Sequence, residues 1–130
     1  MLATASGTRR ELRMVVPASP EHLRAVRLVA ADAAGRAGLD FDETDDLRIA
    51  VDELGHWLIP VTVDPLRLDF SVGDGHVLVE GRAVLAADAP PLDHLSELIL
   101  ESVTDSLDIA IGDHEVRFTF VKRRGAVLCR

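Results

Sequence analysis

Four stretches of the chain alternate apolar and polar residues, the pattern of a strand with one buried and one open face. They are Leu12-Arg13-Met14-Val15-Val16, Leu66-Arg67-Leu68-Asp69-Phe70-Ser71-Val72, Leu107-Asp108-Ile109-Ala110-Ile111 and Val116-Arg117-Phe118-Thr119-Phe120. The segment from His76 to Arg82 predicts a fifth, less regular strand. Gly73-Asp74-Gly75 and Gly112-Asp113-His114 each separate two of these runs and predict two antiparallel hairpins, with glycine and aspartate supplying the positive backbone angles of tight turns.

The remaining apolar positions repeat at helical spacing. Ser19-Pro20-Glu21 reads as a helix start, with a capping serine, a proline in the first turn and an acid at the positive end. Leu23, Val26, Ala30, Ala33 and Ala37 follow on one face, and Gly38 stops the run. A second helix begins near Asp42, with Leu47, Ala50, Val51, Leu54, Leu58 and Val61 as its apolar stripe and Pro60 to kink or end it. A third follows the loop from Ala86 to Pro91, with Leu95, Leu98, Ile99 and Val103 expected on its buried side.

The order β-α-α-β-β-α-β-β, with one apolar face per element, is satisfied by an α/β (α+β) two-layer sandwich in which three helices cover one face of a mostly antiparallel sheet. Composition agrees: 130 residues at 48% hydrophobic supply one core rather than two. We expect a flexible N-terminal segment (1-10), a single domain (11-124) and a short C-terminal tail (125-130).

Charge and cysteine usage narrow the function. A net charge of −8 disfavours direct contact with nucleic-acid phosphates and suits a basic protein partner. No apolar run reaches the ~18 residues needed to span a bilayer, and Met1 to Thr8 has neither a basic start nor an apolar signal core, so the expected location is the cytoplasm, with no membrane contact. The single cysteine, Cys129, has no possible partner within the chain and reads as a spectator thiol.

Leu47-Arg48-Ile49-Ala50-Val51-Asp52-Glu53-Leu54 resembles the motif helix of the anti-sigma factors of the serine-kinase type, in which a hydrophobic run leads to an acidic residue, then Glu, then Asn four positions after the Glu. Val15-Val16-Pro17-Ala18 with Pro20-Glu21, Gly38-Leu39-Asp40-Phe41, and the stretch from Leu95 to Lys122 resemble that family's first strand and helix, its connection before the motif helix, and its last helix and closing hairpin. The resemblance implies the GHKL ATPase fold, an α/β sandwich shared with gyrase and histidine-kinase ATPase domains. The element order derived above matches it independently.

The resemblance also implies a nucleotide site, with ATP and Mg2+ as cofactors, and here the chain departs from the pattern. Glu53 fills the position of the glutamate that polarises the attacking group. The position four residues on, which should hold magnesium, is Trp57, whose indole offers one N–H and no oxygen. The family's Asp-x-Gly-x-Gly turn corresponds to Val79-Glu80-Gly81-Arg82-Ala83-Val84, with one glycine and no suitable aspartate. The turn before the last helix, which should receive phosphates, reads Pro90-Pro91-Leu92-Asp93-His94-Leu95-Ser96-Glu97, without glycine and with added negative charge. No cofactor is therefore expected, and Glu53 is catalytic only if a kinase survives.

Other candidates carry two or more readings. Arg27, with Arg24 beside it at helical spacing, occupies the position where related anti-sigma factors present an arginine to protein partners; the alternative is a pair of solvated arginines, free or bonded to nearby acids. Trp57 reads as filling the nucleotide cavity, as a half-buried core residue, or as an exposed interface anchor. Asp40, Asp42, Glu43, Asp45 and Asp46 favour a helix N-terminus, with attraction of a basic sigma-factor surface as the alternative. They do not make a calcium loop, since the required glycine is Asp45 and the required bidentate acid is Val51. His22, His56, His76, His94 and His114 form no compact ligand set, and Asp52 with His56 is one ligand short, so no metal is expected. No nucleophile-elbow pattern supports a hydrolase.

The expected function is an anti-sigma factor that sequesters a sigma factor by occlusion and is released by an anti-anti-sigma partner of the STAS type. The alternative is a divergent ATP-dependent serine/threonine kinase acting on that antagonist. A homodimer is implied by the resemblance.

Overall fold

The computed structural model describes residues 9–63 and 65–125. Met1 to Thr8 and Cys129 lie outside the described residues. The elements are β1 (Arg9–Val16), α1 (Leu23–Ala37), α2 (Phe41–Leu58), β2 (Leu66–Gly73), β3 (His76–Val84), α3 (His94–Val103), β4 (Ser106–Ile111) and β5 (Glu115–Arg123). Short 3₁₀ turns at Pro20–His22 and Ile59–Val61 precede α1 and follow α2. β1 thus starts two residues before the expected domain boundary at 11.

All five strands pair antiparallel, in the order β1-β2-β3-β5-β4. Register aligns the inward residues into rows that cross the sheet: Leu12, Phe70, Val79, Phe120 and Leu107 in one, and Met14, Leu68, Gly81, Phe118 and Ile109 in the next. The helices cover these rows and leave the opposite face open. Phe70, Val79 and Phe120 are fully buried under them, as are Ala30, Leu47 and Leu54 on the helices.

The helix starts carry one correction and one agreement. Ser19 does not cap the backbone of the first helix; its hydroxyl donates to the Glu21 carboxylate at 2.5 Å, and the chain enters α1 through the 3₁₀ turn. α2 begins at Phe41, beside the expected start near Asp42, where Asp40 and Glu43 form a capping box: each side chain accepts the other's backbone N–H at 2.8 Å. Asp40→Ala removes one arm of that box and should cost about 1 kcal/mol, read as a lower midpoint in urea with an unchanged slope. An unchanged midpoint would mean that tertiary packing alone sets this helix end.

α3 is rotated from expectation. Leu100 and Val103 are buried and Ile99 is half-buried, whereas Leu95 (67%) and Leu98 (48%) are exposed. This helix lies mainly against α2, with the edge strand β4 beside it, so a narrow stripe is covered where the sequence offered several.

The hairpins close with less positive φ than expected. Gly75 alone adopts it in the β2–β3 turn (φ 81°), with Asp74 in an ordinary conformation, and the β4–β5 connection uses none. Gly75 also ties the turn to the helical layer: its N–H donates to Ala37 at 2.9 Å and its carbonyl accepts from Arg124 at 2.7 Å. Gly38 ends α1 in the left-handed conformation (φ 80°), as the sequence required.

Candidate functional site

α2 has three sides. Leu47, Ala50, Val51, Leu54 and Leu58 face the core. Asp52 stands on the flank toward α1, where its carboxylate accepts from the Arg27 guanidinium at 2.5 Å. His56 reaches the same residue one turn on, with Nδ1 2.9 Å from the Asp52 carbonyl and 3.4 Å from its carboxylate. Asp46, Glu53 and Trp57, seven and four residues apart, share the other flank.

On that second flank Asp46 accepts from Lys122 of β5 at 2.9 Å, which fixes the first half of α2 to the sheet. Trp57 is half-buried against the core, and its indole N–H donates to the Pro90 carbonyl at 2.7 Å, fixing the last turn of α2 to the loop before α3. Glu53 lies between these two ties, half-buried, and has no hydrogen-bond or ion-pair partner among the described residues.

The Val79 to Val84 stretch is not a turn: all of it lies inside β3. Gly81 sits opposite Phe118, and a Cβ on Gly81 would come within 2.1 Å of the Phe118 ring. The missing side chain is therefore the space the ring occupies. Phe118 in turn stacks with Phe120, centroids 6.3 Å apart.

At the start of α3, Asp93 caps the helix by accepting the Ser96 N–H at 2.7 Å. Its carboxylate occupies the N-terminal position where an anion would otherwise be received.

Arg24 is exposed on α1, one turn before Arg27. These arginines and the pair Glu53/Trp57 stand on opposite flanks of α2, so the structure does not bring them into one site. The acidic cluster is largely consumed structurally: Asp40 and Glu43 cap α2, Glu43 also accepts the Gly125 N–H at 2.5 Å, Asp45 pairs with Arg48 at 2.9 Å and Asp46 holds Lys122. The described residues contain no group of three or more potential metal ligands, and no helix among them is long and apolar enough to cross a membrane.

Sequence reasoning missed Asp52 as the partner of Arg27, Lys122 as the partner of Asp46, and Phe118 as the reason for Gly81. A signal existed only for the last, since a glycine inside a strand pattern marks a close approach.

Residues 16–91 match the family model described as the histidine kinase-like ATPase domain. Over 42 residues the chain is 45% identical to the serine-protein kinase RsbW of Bacillus subtilis and 43% identical to that of Bacillus velezensis. Each match covers 32% of this chain and 26% of the relative, so it spans about a quarter of those proteins. Among solved structures, the RsbU and RsbW domains of a Mycobacterium tuberculosis protein superpose with a TM-score of 0.71 at 16% identity, over 92% of this chain and 34% of that one. A chain of the SiaB-SiaC complex from Pseudomonas aeruginosa superposes with a TM-score of 0.57 at 11% identity, over 88% and 90% respectively.

Proposed function

Because this chain belongs to the histidine kinase-like ATPase domain family, we propose that it is a partner-switching anti-sigma factor that works by occlusion and without ATP. The observation that carries the proposal is Trp57. It stands one helical turn after Glu53, where the family pattern needs a magnesium ligand, and it is tied to Pro90. A carboxamide oxygen can hold a hard cation; an indole N–H already donated to a carbonyl cannot.

Two further features support the same reading. The Phe118 ring covers Gly81, so backbone there is not open to a nucleotide. The Asp93 carboxylate at the head of α3 repels phosphate. The residues present do not fit Mg-ATP, and no phosphoryl-transfer step is assigned to them.

In this reading the unit is a single domain of residues 11-124, acting as a homodimer in the cytoplasm. It masks a sigma factor until a STAS-type anti-anti-sigma protein competes for the same surface. Arg24 and Arg27 lie on the partner-facing side, with Arg27 held by Asp52 until a partner carboxylate replaces it. The ion pair is half-exposed and contributes little to folding. Arg27→Ala should therefore lower stability by less than about 1 kcal/mol and weaken sigma-factor capture by tenfold or more. A variant that unfolds would make Arg27 a structural residue, and one that captures sigma factor as well as the wild type would remove it from the partner surface.

One observation favours the alternative of a divergent serine/threonine kinase: Glu53 is half-buried and has no partner among the described residues, as a base awaiting a substrate would be. Calorimetric titration with Mg-ATP up to millimolar concentration separates the two. The occlusion reading expects no saturable heat; saturable, magnesium-dependent binding would replace it with the kinase. Recovery of neither a sigma factor nor a STAS protein on co-purification from the native host would sink both.

A further inference from the structure

The open face of the sheet carries a charge pattern that folding does not explain. Arg67 on β2, Arg82 on β3 and Arg117 on β5 stand directly opposite one another across three adjacent central strands. Neighbouring strands are about 4.8 Å apart, and like charges facing each other across a pair are destabilising. Glu115 answers two of the three. It accepts from Arg82, and from Arg117 at 3.0 Å, and these bonds hold its carboxyl below the usual carboxylate range.

Arg67 is exposed and has no ion-pair partner among the described residues. Val15, 55% exposed, ends the row beside it. The row borders a groove of about 340 Å³ lined by four arginines against two carboxylates, in a chain whose net charge is −8. Both carboxylates are engaged, Asp69 by Arg13 at 3.4 Å among others.

We infer that this open face, centred on Arg67, Arg82 and Arg117, is a docking surface for an acidic segment of a protein partner. The arginine row supplies planar, bidentate donors at strand spacing, which suits carboxylates on an extended or helical segment. A nucleic acid fits less well: its continuous phosphates would run over Asp69 and Glu80 in the neighbouring row, whereas a short acidic segment can confine its carboxylates to the arginine row. This surface is on the side of the sheet away from Arg24, Arg27 and Trp57, so it does not depend on the anti-sigma reading.

Binding of a fluorescein-labelled 12-residue peptide with glutamate at alternate positions, followed by anisotropy at roughly physiological salt, tests the proposal. Saturable binding is expected, weakened about tenfold or more in the double variant Arg67→Gln, Arg117→Gln. Arg48→Gln, an exposed arginine on α2 paired with Asp45, should leave it within about twofold. Thermal denaturation gives a second readout: Arg67→Gln should keep or raise the melting temperature, because it removes a like-charge neighbour. Four results would overturn the inference: no peptide binding, equal weakening by Arg48→Gln, tighter binding of a 12-mer oligothymidylate, or a change of oligomeric state in the double variant, which would make the face a contact between copies.

Discussion

Gly81→Ala is expected to lower the melting temperature by roughly 10 °C. The added Cβ would lie 2.1 to 2.7 Å from three carbons of the Phe118 ring. Phe118 cannot swing away freely, because it is 5% exposed and stacked with the fully buried Phe120. Overpacking of this kind costs about 3 kcal/mol, against which the usual gain on replacing a strand glycine, roughly 0.5–1 kcal/mol, is small.

A second substitution identifies the cause. Phe118→Leu shortens the ring to a side chain that can share the space with an alanine, so the pair Gly81→Ala, Phe118→Leu should be more stable than the two single effects add up to, by about 1 kcal/mol or more. Strict additivity in chemical denaturation would mean that the Phe118 ring is not what excludes the added methyl group.

The strands and the motif helix were legible because each has one apolar face and a single register satisfies it. The α2 stripe of Leu47, Ala50, Val51, Leu54 and Leu58 is buried as the spacing demands. α3 failed the same test for a physical reason. Its run contains Leu95, Leu98, Ile99, Leu100 and Val103, so more than one stripe is apolar, and the choice belongs to α2 and β4 rather than to the helix itself.

Long-range polar ties were invisible for a different reason. Arg27 and Asp52 are 25 residues apart, and Asp46 and Lys122 are 76 apart; nothing local distinguishes these pairs from other surface charges. Glu53 and Trp57 could be assigned to one flank by spacing alone. That the flank is tied at both ends, by Lys122 and by Pro90, required the fold.

Trp57 variants should separate packing from nucleotide chemistry. Trp57→Phe keeps most of the ring and loses the 2.7 Å bond to Pro90, a change of about 1 kcal/mol. Trp57→Asn also gives up the ring's contact with the core; because the residue is half-buried, the total should be about 2 kcal/mol rather than the larger cost of a fully buried aromatic. Both variants should remain folded, and the asparagine variant supplies the oxygen that the family pattern uses for magnesium. It should nonetheless show no saturable Mg-ATP binding up to millimolar concentration, because the Phe118 ring still covers Gly81 and the Asp93 carboxylate still heads α3. If Trp57→Asn alone binds Mg-ATP at submillimolar concentration, the indole is the sole obstacle: Glu53 would then be a competent base in an otherwise intact site, and the kinase reading would take precedence over occlusion.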